Sequence, residues 1–161
     1  MSERALAGIH AVREALRAGT PLRFVAISGE RQDARVRELV ALARAAGVTV
    51  RREPLAALDR WAQGERHQGV VAMAAARPRL TTEDLLAEAP RRLLLACDGI
   101  EDPHNLGAIL RAACGAGVDG VLLPDRRSAS LTAAVERVSA GAAEHVRIAQ
   151  AGNLTQALEK C

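Results

Sequence analysis

The chain has 161 residues, enough for one ordinary domain or two small ones. Its hydrophobic fraction of 49% permits a packed core and argues against disorder, and no apolar run approaches the roughly 20 residues of a membrane span. The formal net charge of +3 is compatible with a nucleic-acid partner and equally with an arginine-rich solvated surface. With one Phe, one Trp and no Tyr, the chain lacks the aromatic platforms that read single-stranded bases by serial stacking.

The cysteines and the N-terminus indicate the compartment. Cys97, Cys114 and Cys161 are widely spaced and form no C-x-x-C pair. The first two fall on a predicted strand and the helix after it, where a small buried thiol is a common core residue. The first residues lead straight into an amphipathic helical pattern and show no signal peptide. These features predict a protein of the reducing cytoplasm.

The first half of the chain alternates helical and strand patterns. Apolar residues at positions 9, 12 and 16 form a helical stripe that Gly19 ends, and Gly47 follows the end of the second helix. The predicted helices are 8–18, 33–46 and 55–63, and the predicted strands are 24–28, 48–50 and 69–74. This alternation over about 75 residues predicts a small α/β domain.

A change in composition follows this first unit. Residues 77–81 interrupt the periodicity, and Thr82 is a candidate N-cap for a short helix at 83–88. The sequence Pro-Arg-Arg at 90–92 ends that helix. The predicted division of the chain is therefore a first domain at 1–76, a linker at 77–90 and a second domain at 91–161.

The second unit alternates three strands with helices, which predicts a parallel sheet with right-handed crossovers. Its predicted strands are 93–97, 120–123 and 146–148, and its predicted helices are 105–116, 131–140 and 154–160. The almost wholly apolar first strand is predicted to be buried. A parallel sheet of three strands leaves half of its core open, and ~70 residues is short for such a domain. We therefore expect the chain to end before its fold is finished, as a fragment or with a partner that completes it.

The most informative segment is the loop and helix start at 98–111, directly after this strand. Parallel α/β sheets hold their ligands at the carboxyl ends of strands, where this loop lies. Pro103 restrains the loop, and Asn105 is a candidate N-cap. The residues that share the predicted core face of the helix are Leu106, Ile109, Leu110 and Ala113.

Arg111 lies on the other, small-residue side of this helix. The small residues around it are Gly107, Ala108, Cys114 and Gly115. They let another surface approach, and Gly107 costs about 1 kcal/mol of helix stability relative to alanine. Arg111 also lies towards the positive end of the helix dipole, where a cation is slightly disfavoured. Two explanations stay open: an arginine held for an anion such as phosphate, or one paired to a carboxylate, Glu101 or Glu144.

No metal or nucleotide motif accompanies this loop. The acidic residues Asp98, Glu101 and Asp102 match no calcium loop, and the chain has neither a G-x-G-x-x-G nor a P-loop sequence. The histidines are scattered, with no pair at ligand spacing: His10, His67, His104 and His145. We therefore expect no metal site.

The run D-G-I-E-D-P-H-N-L-G-A-I-L-R-A-A at 98–113 resembles motif 1 of the SpoU/TrmH branch of the SPOUT RNA methyltransferases. Its N-x-G-x-x-x-R core stands within D-P-H-N-L-G and follows a strand, which makes the resemblance specific. G-I-H-A-V at 8–12 and H-Q-G-V-V-A at 67–72 are similar to the start and the end of the family's small substrate-binding domain. D-R-R-S-A at 125–129 and S-A-G-A-A-E at 139–144 resemble the rest of the motif 1 region. The most similar subgroup is RlmB, which 2′-O-methylates a guanosine of 23S rRNA.

The resemblance implies a two-domain α/β enzyme. An L30e-like RNA-binding domain at 1–76 would precede the first part of a knotted, Rossmann-like SPOUT domain that begins at 91. The implied reaction transfers a methyl group from S-adenosylmethionine to a ribose 2′-OH of 23S rRNA, with Asn105 and Arg111 as the catalytic pair. The implied substrate-binding residues are His104, Arg126, Arg127 and Glu144. The family is usually homodimeric through its catalytic domain, so a second copy is the other implied partner.

The resemblance is incomplete after Cys161. The family's motifs 2 and 3, which form its trefoil knot and most of its S-adenosylmethionine pocket, have no counterpart in this sequence. The cofactor-binding residues are therefore expected in a segment outside it. A non-catalytic RNA-binding or dimerisation remnant of such an enzyme is the alternative interpretation.

Overall fold

The computed structural model describes residues 3–29, 31–87, 93–126 and 128–161. The chain forms two compact units that divide between Arg77 and Pro78. Both units combine a β-sheet with helices, so the predicted α/β class is confirmed. Within the described part of the chain, no helix has the length and apolar character needed to cross a membrane.

The first unit is built on a mixed sheet. Its elements are β1 (Glu3–Ala7), α1 (Ile9–Arg17), β2 (Leu22–Ser28), α2 (Ala34–Ala45), β3 (Val50–Glu53), α3 (Leu55–Ala62) and β4 (Val70–Ala75). The sheet has the order β1-β4-β2-β3; β2 and β3 are parallel, and β4 runs antiparallel to both β1 and β2. The prediction that the N-terminal residues enter a helix directly is wrong, because they form β1. Its partner strand lies about 70 positions away, so no local pattern announces it.

The central strand β2 is buried on both faces, so the first unit has two apolar layers. Val25 and Ile27 belong to the layer under α1 and α2, whereas Phe24 and Ala26 belong to the layer under α3. The Phe24 and Trp61 rings meet edge to face with centroids 5.3 Å apart. Both aromatic residues of the chain therefore take part in packing.

The second unit is built on a parallel sheet. Its elements are α4 (Thr82–Leu86), β5 (Leu94–Ala96), α5 (Pro103–Gly115), β6 (Gly120–Pro124), α6 (Ala133–Val138), α7 (Ala142–His145), β7 (Arg147–Ala151) and α8 (Leu154–Glu159). The strand order is β5-β6-β7, with both pairs parallel. The three predicted strands and their parallel pairing are confirmed. The helix predicted at 131–140 ends earlier, and the separate short helix α7 follows it.

The described residues of the predicted linker that follow Arg77, residues 78–87, pack within the second unit. Leu80 forms a parallel bridge to Ala149 on the outer edge of β7. Leu85 is 1% exposed and shares a small apolar cluster with Leu122 and Ala149. The signals that suggested a linker are local, whereas the contacts that order this segment are made with strands far along the chain.

The N-cap of α4 is Thr81, one residue before the predicted Thr82. The Asp84 backbone N–H donates to the Thr81 hydroxyl oxygen at 3.2 Å, and the Thr81 backbone N–H donates to the Asp84 carboxylate at 2.7 Å. These two hydrogen bonds form a capping box, which satisfies two amide groups at the helix start. Thr82 is itself buried, 5% exposed.

The first strand of the second unit is shorter and less buried than predicted. β5 covers only the middle of the predicted strand, and Leu93 is 56% exposed. β5 pairs with β6 on one side, and no described strand pairs with its other side. An apolar strand is buried only where neighbours cover it, so the composition of this run overestimates its burial. Cys97, directly after the strand, is buried, and burial raises the pKa of its thiol, whereas Cys114 is half-buried.

We expect the Thr81–Asp84 capping box to make stability depend on pH. Hydrogen bonds from the Thr81 backbone and hydroxyl hold the pKa of Asp84 below its ordinary value. A depressed pKa contributes stability that is present above the unfolded-state pKa and is lost as the pH falls through the folded-state pKa. Asp84→Asn, which mimics the protonated form, should therefore lower the urea midpoint at neutral pH and have little effect in strong acid.

Urea unfolding of the parent and Asp84→Asn, from about pH 7 to about pH 2, checks this prediction. Glu38→Gln, at an exposed position of α2, is the control and should show no such convergence. A gap between parent and Asp84→Asn that stays constant over the whole range would contradict the prediction.

Candidate active site

Helix α5 begins two residues earlier than predicted, because Asp102 and Pro103 form its start. Proline suits the first helical position, where no N–H partner is required. The Asp102 carboxylate caps the helix by accepting a hydrogen bond from the His104 backbone N–H at 3.0 Å. The prediction that Asn105 is the N-cap is therefore wrong. Asn105 lies within the first turn, exposed, and its side chain has no partner among the described residues.

The predicted core face of α5 is confirmed. Leu106 and Leu110 are fully buried, Ala113 is 3% exposed, and Ile109 packs half-buried against the same cluster. These residues pack over β6 and against α6. The buried face fixes the rotation of α5 about its own axis and hence the direction of its exposed side chains.

Helix α6 of the same unit packs closely against α5 at Gly107. A Cβ atom at Gly107 would lie 2.6 Å from the Val138 Cβ and 3.1 Å from the Ser139 backbone nitrogen. The first distance is too short for a real Cβ contact and the second is tight, so α6 can approach α5 this closely only at a glycine. This glycine therefore serves helix packing.

The turn between α6 and α7 completes this contact. Ser139 is 1% exposed, and its hydroxyl donates to the Glu136 carbonyl at 2.8 Å. Ala140 and Gly141 both have positive φ, 50° and 88°, which reverses the chain within two residues. The small residues at 139–141 thus form the tight turn that packs on α5, a role that only their size suggests in the sequence.

Arg111 is exposed in the C-terminal half of α5, one turn after Gly107 on the same side. The expectation that it lies towards the positive end of the helix dipole is therefore wrong. No carboxylate of the described residues lies within ion-pair distance of its guanidinium, and its side chain has no hydrogen-bond partner there. The pairing to Glu101 or Glu144 is thus not formed. The anion explanation is the one left open.

The catalytic pair implied by the motif does not share one side of α5. Asn105 and Arg111 are six positions apart, which on an α-helix is about 9 Å along the axis and about 120° around it. His104 precedes Arg111 by seven positions and lies within about 20° of it on the helix surface. His104 and Arg111 therefore lie on the same side of α5, and Asn105 lies on another side of it.

The carboxyl ends of the parallel strands bring other site residues together. His104 and Asn105 follow the loop after β5, and Arg126 follows the adjacent strand β6, all three exposed. Arg111 lies about 12 Å further along α5 from the helix start. Glu144 is half-buried in α7, away from these loops in sequence, and Arg127 is outside the described residues.

A cation that the sequence pattern missed also reaches this edge of the sheet. The Arg79 guanidinium donates to the Gln150 side-chain oxygen at 2.6 Å and lies 3.5 Å from the Asp125 carboxylate. Gln150 belongs to β7, and Asp125 directly follows β6. Arg79 lies in the segment that was predicted to be a linker, so the sequence pattern did not indicate it as a site residue. Among the described residues, no group of three or more His, Cys, Asp or Glu side chains is placed to hold a metal ion.

Two sequence families match the two units of this chain in order. The family described as RNA 2′-O ribose methyltransferase substrate binding matches residues 5–80, and the SpoU rRNA methylase family matches residues 92–161. The chain belongs to the SpoU family. The SpoU resemblance carried by residues 98–113 is therefore confirmed at the level of the family.

Relatives of this SpoU-family chain are described as uncharacterized tRNA/rRNA methyltransferases. Those of Mycobacterium avium (strain 104) and Mycobacterium leprae (strain TN) are both 42% identical over 156 residues, covering 94% of this chain and 50% of the relative. The chain thus spans about half the length of the curated relatives it matches.

Solved structures of a SpoU methyltransferase and of an rRNA methyltransferase share the fold. The SpoU methyltransferase AviRb from Streptomyces viridochromogenes, in complex with AdoMet, superposes with a TM-score of 0.75 at 21% identity, over 98% of this chain and 58% of its own. An AdoMet-bound rRNA methyltransferase from Sinorhizobium meliloti superposes with a TM-score of 0.72 at 21% identity, over the same shares of the two chains.

Gly107 and Gly115 form a matched pair for testing the α5–α6 contact. Gly107→Ala should lower the free energy of unfolding by about 1–3 kcal/mol, because the new methyl group overlaps α6. Gly115→Ala, at the end of the same helix with nothing within 4 Å of its Cβ position, should raise it by up to about 1 kcal/mol. Urea unfolding measures both. Equal effects of the same sign would contradict the packing role of Gly107.

An arginine without a protein partner should be dispensable for folding. We expect Arg111→Ala to change the free energy of unfolding by less than about 0.5 kcal/mol. Asp102→Ala, which removes the cap of the same helix, should cost about 1 kcal/mol and serves as the positive control. Thermal and urea unfolding of the two variants check this. A loss at Arg111→Ala as large as that at Asp102→Ala would make the arginine structural.

Proposed function

We propose that this chain carries the RNA-facing residues of an S-adenosylmethionine-dependent 2′-O-methyltransferase that modifies 23S rRNA. The observation that carries the proposal is the exposed Arg111, which has no partner among the described residues although it borders a closely packed helix pair. Membership of the SpoU family supports the reaction class. A guanosine is the proposed target, by the resemblance to the RlmB subgroup.

Arg111 would act on the ribose through charge. In the reaction the 2′-oxygen forms a bond to the methyl carbon, the carbon–sulfur bond of the donor breaks, and the hydroxyl proton leaves to solvent. A guanidinium with a pKa above about 12 is a poor base for that proton. It instead binds the neighbouring phosphate through two parallel hydrogen bonds and stabilises the negative charge that develops on the 2′-oxygen.

The other exposed residues would position the RNA. The Asn105 amide in the first turn of α5 is available to hydrogen-bond the ribose or the loop. His104 and Arg126, at the carboxyl edge of the sheet, would contact the RNA backbone on either side. Glu144 and Arg127 remain proposed substrate-binding residues through the resemblance alone.

S-adenosylmethionine, when bound, supplies an electrophilic methyl group on a sulfonium cation. The carboxyl edge of the second unit suits that charge, because two exposed carboxylates, Asp98 and Glu101, lie in the loop after β5. The Asp125 carboxylate after β6 lies 3.5 Å from the Arg79 guanidinium, which offsets its charge. The glycine of the first loop, Gly99, has open space at its Cβ position, so a ligand can approach the backbone there. The proposed partners of the whole enzyme are 23S rRNA and a second copy of the chain.

A non-catalytic RNA-binding role is the second candidate. It is favoured by one observation, that the first unit is compact by itself and matches the family described as RNA 2′-O ribose methyltransferase substrate binding over residues 5–80. Isothermal titration of S-adenosylmethionine into this chain distinguishes the two. Measurable cofactor binding supports the enzyme, and rRNA binding without cofactor binding supports the second candidate.

Methyl transfer to 23S rRNA provides the direct test of Arg111. In the whole enzyme, with tritiated S-adenosylmethionine as the methyl donor, Arg111→Ala should lower the rate by about 100-fold or more, because a charge-stabilising donor is lost. Arg111→Lys should restore little of it, since an ammonium cannot make the paired hydrogen bonds. Sites are mapped by resistance of 2′-O-methylated linkages to alkali.

Arg23→Ala is the control for this assay. It removes an equally charged, exposed arginine that pairs with Glu3 in the first unit, and it should leave the rate unchanged. Near-full turnover by Arg111→Lys would rule out the proposed two-bond contact with phosphate. If Arg23→Ala lowered the rate as much as Arg111→Ala, the assay would report only the total positive charge of the protein.

A further inference from the structure

Two cavities of the first unit meet at one exposed loop residue. One, of about 450 Å³, is lined by residues 64–69 together with Leu55 and Asp59. The other, of about 580 Å³, is lined by Ser28, Arg31, Arg35, Leu55, Gln68 and Gly69. Leu55, Gln68 and Gly69 therefore border both. Both are shallow depressions that are widely open to solvent.

Gln68 stands in a strained backbone conformation that its surroundings enforce. Its φ of 49° is in the left-handed region, which costs a residue with a side chain free energy and favours glycine. Gln63 has nearly the same φ, 48°, but it ends α3, where a left-handed residue is common. Gln68 and Gly69, with φ of 49° and 71°, are instead the central residues of a tight turn, which the Val70 backbone N–H closes by donating to the His67 carbonyl at 2.8 Å. Such a turn needs positive φ at both central positions, and Gln68 fills one that glycine or asparagine usually occupies.

The loop around Gln68 is held from both sides. The Gly69 backbone N–H donates to His67 Nδ1 at 3.2 Å, which places the proton of the neutral ring on Nε2, 2.9 Å from the Asp59 carboxylate. On the other side, the Arg31 guanidinium donates to the Gln68 carbonyl oxygen and to the Asp33 carboxylate. The Gln68 main chain is thus fixed, while its amide is exposed and has no partner among the described residues.

Two cations and one apolar side chain surround this amide. Arg35 lines the larger cavity and Arg66 the smaller one, and both are exposed with no side-chain partner in the described part of the chain. Arg35 stands in the first turn of α2, where the N-cap carboxylate of Asp33 accepts a hydrogen bond from the Arg35 backbone N–H and leaves the Arg35 guanidinium exposed. Leu55 is 54% exposed, one of the few large apolar side chains so exposed in the described residues.

We propose that the first unit binds one unstacked RNA nucleotide at this loop. The base packs on Leu55 and is read by the Gln68 amide, which offers both a donor and an acceptor. Arg35 and Arg66 bind the phosphates on either side, and His67 is a positioning residue that holds the loop. The inference rests on the proposed function for the class of ligand and adds the residues that select it.

A site in which one base packs on one apolar side chain is consistent with the shortage of aromatic residues in this chain. Phe24 is buried and Trp61 packs against it, so neither offers a stacking platform for a run of bases. Recognition of one extruded base needs only one apolar surface and one polar edge, which Leu55 and Gln68 supply. The site therefore selects loops and bulges over duplex RNA.

Fluorescence anisotropy with the full 161-residue chain tests this proposal. The probes are a dye-labelled RNA hairpin with a randomised ten-nucleotide loop and the same stem as a blunt duplex. Gln68→Gly should weaken hairpin binding about tenfold and leave duplex binding unchanged, because it removes the contact to the base. Its melting temperature should not fall, since glycine relieves the positive φ.

Gln63→Gly is the matched control, because it removes the same amide and relieves the same φ outside both cavities. It should change neither affinity. Equal affinities of the two variants for the hairpin, or a lower melting temperature for Gln68→Gly than for Gln63→Gly, would overturn the proposal.

Two further measurements separate base contact from phosphate contact. Arg35→Ala should lower the slope of log affinity against log salt by about 1 for the hairpin, whereas Arg44→Ala, on the same helix, should not.

Sequencing of loops selected by the parent should show a base preference at one position, which Gln68→Glu changes because a carboxylate only accepts hydrogen bonds. An unchanged preference overturns the role of Gln68.

The outcomes also separate this inference from the proposed function. If the protein binds the hairpin with the stated variant effects but transfers no methyl group, the proposed nucleotide site stands and the proposed methyltransferase function is rejected. If the protein transfers methyl groups but its Gln68→Gly and Gln63→Gly variants bind the hairpin equally well, the proposed methyltransferase function stands and the proposed nucleotide site is rejected. No binding of the hairpin by the parent overturns the site whatever the methylation result.

Discussion

The approach of α6 to Gly107 holds the second unit in the form on which its site depends. A Cβ at this position would come within 2.6 Å of Val138, so a glycine is the residue that lets the two helices meet. The contact joins two segments about 30 positions apart, the turn at 139–141 and the helix that follows β5. It also fixes the side of α5 on which Arg111 stands, next to a packed helix and open to solvent.

The arginines divide into those that the fold uses and those that it leaves to solvent. Arg31, Arg52 and Arg79 donate to backbone or side-chain oxygens and hold loops in place. The side chains of Arg111 and Arg35 have no partner among the described residues. Because an isolated exposed cation contributes little to stability, such arginines are explained better by an anionic ligand than by folding.

The two units would meet the same RNA in different ways. Under the proposed function, the second unit would present a guanidinium and an amide to the ribose whose hydroxyl reacts. The first unit presents a strained loop between two cavities, with Gln68 held by contacts to its main chain on both sides. Rigid main chain with an exposed amide suits the reading of a base, because little conformational entropy is lost when the contact forms. Selection of the RNA and reaction at the ribose would thus belong to different units.

The sequence by itself determined the α/β class, the parallel sheet of the second unit, the buried face of α5 and the family. These features follow from local apolar periodicity and from one contiguous motif, which a linear chain displays directly. Several local assignments were wrong for a common reason. Asn105 and Thr82 were assigned as N-caps because each precedes a helical pattern, but Asp102 and Thr81 provide the hydrogen bonds.

Only the tertiary structure decided what depends on residues far apart in the chain. β1 exists because of its pairing with β4, and the segment after Arg77 is ordered by β7. The need for glycine at position 107 follows from the position of Val138, which lies far along the chain. The absence of a salt bridge at Arg111 follows from the positions of the described carboxylates. Local sequence records the preference of each residue, whereas the close approach of two surfaces is set by the packing of the whole unit.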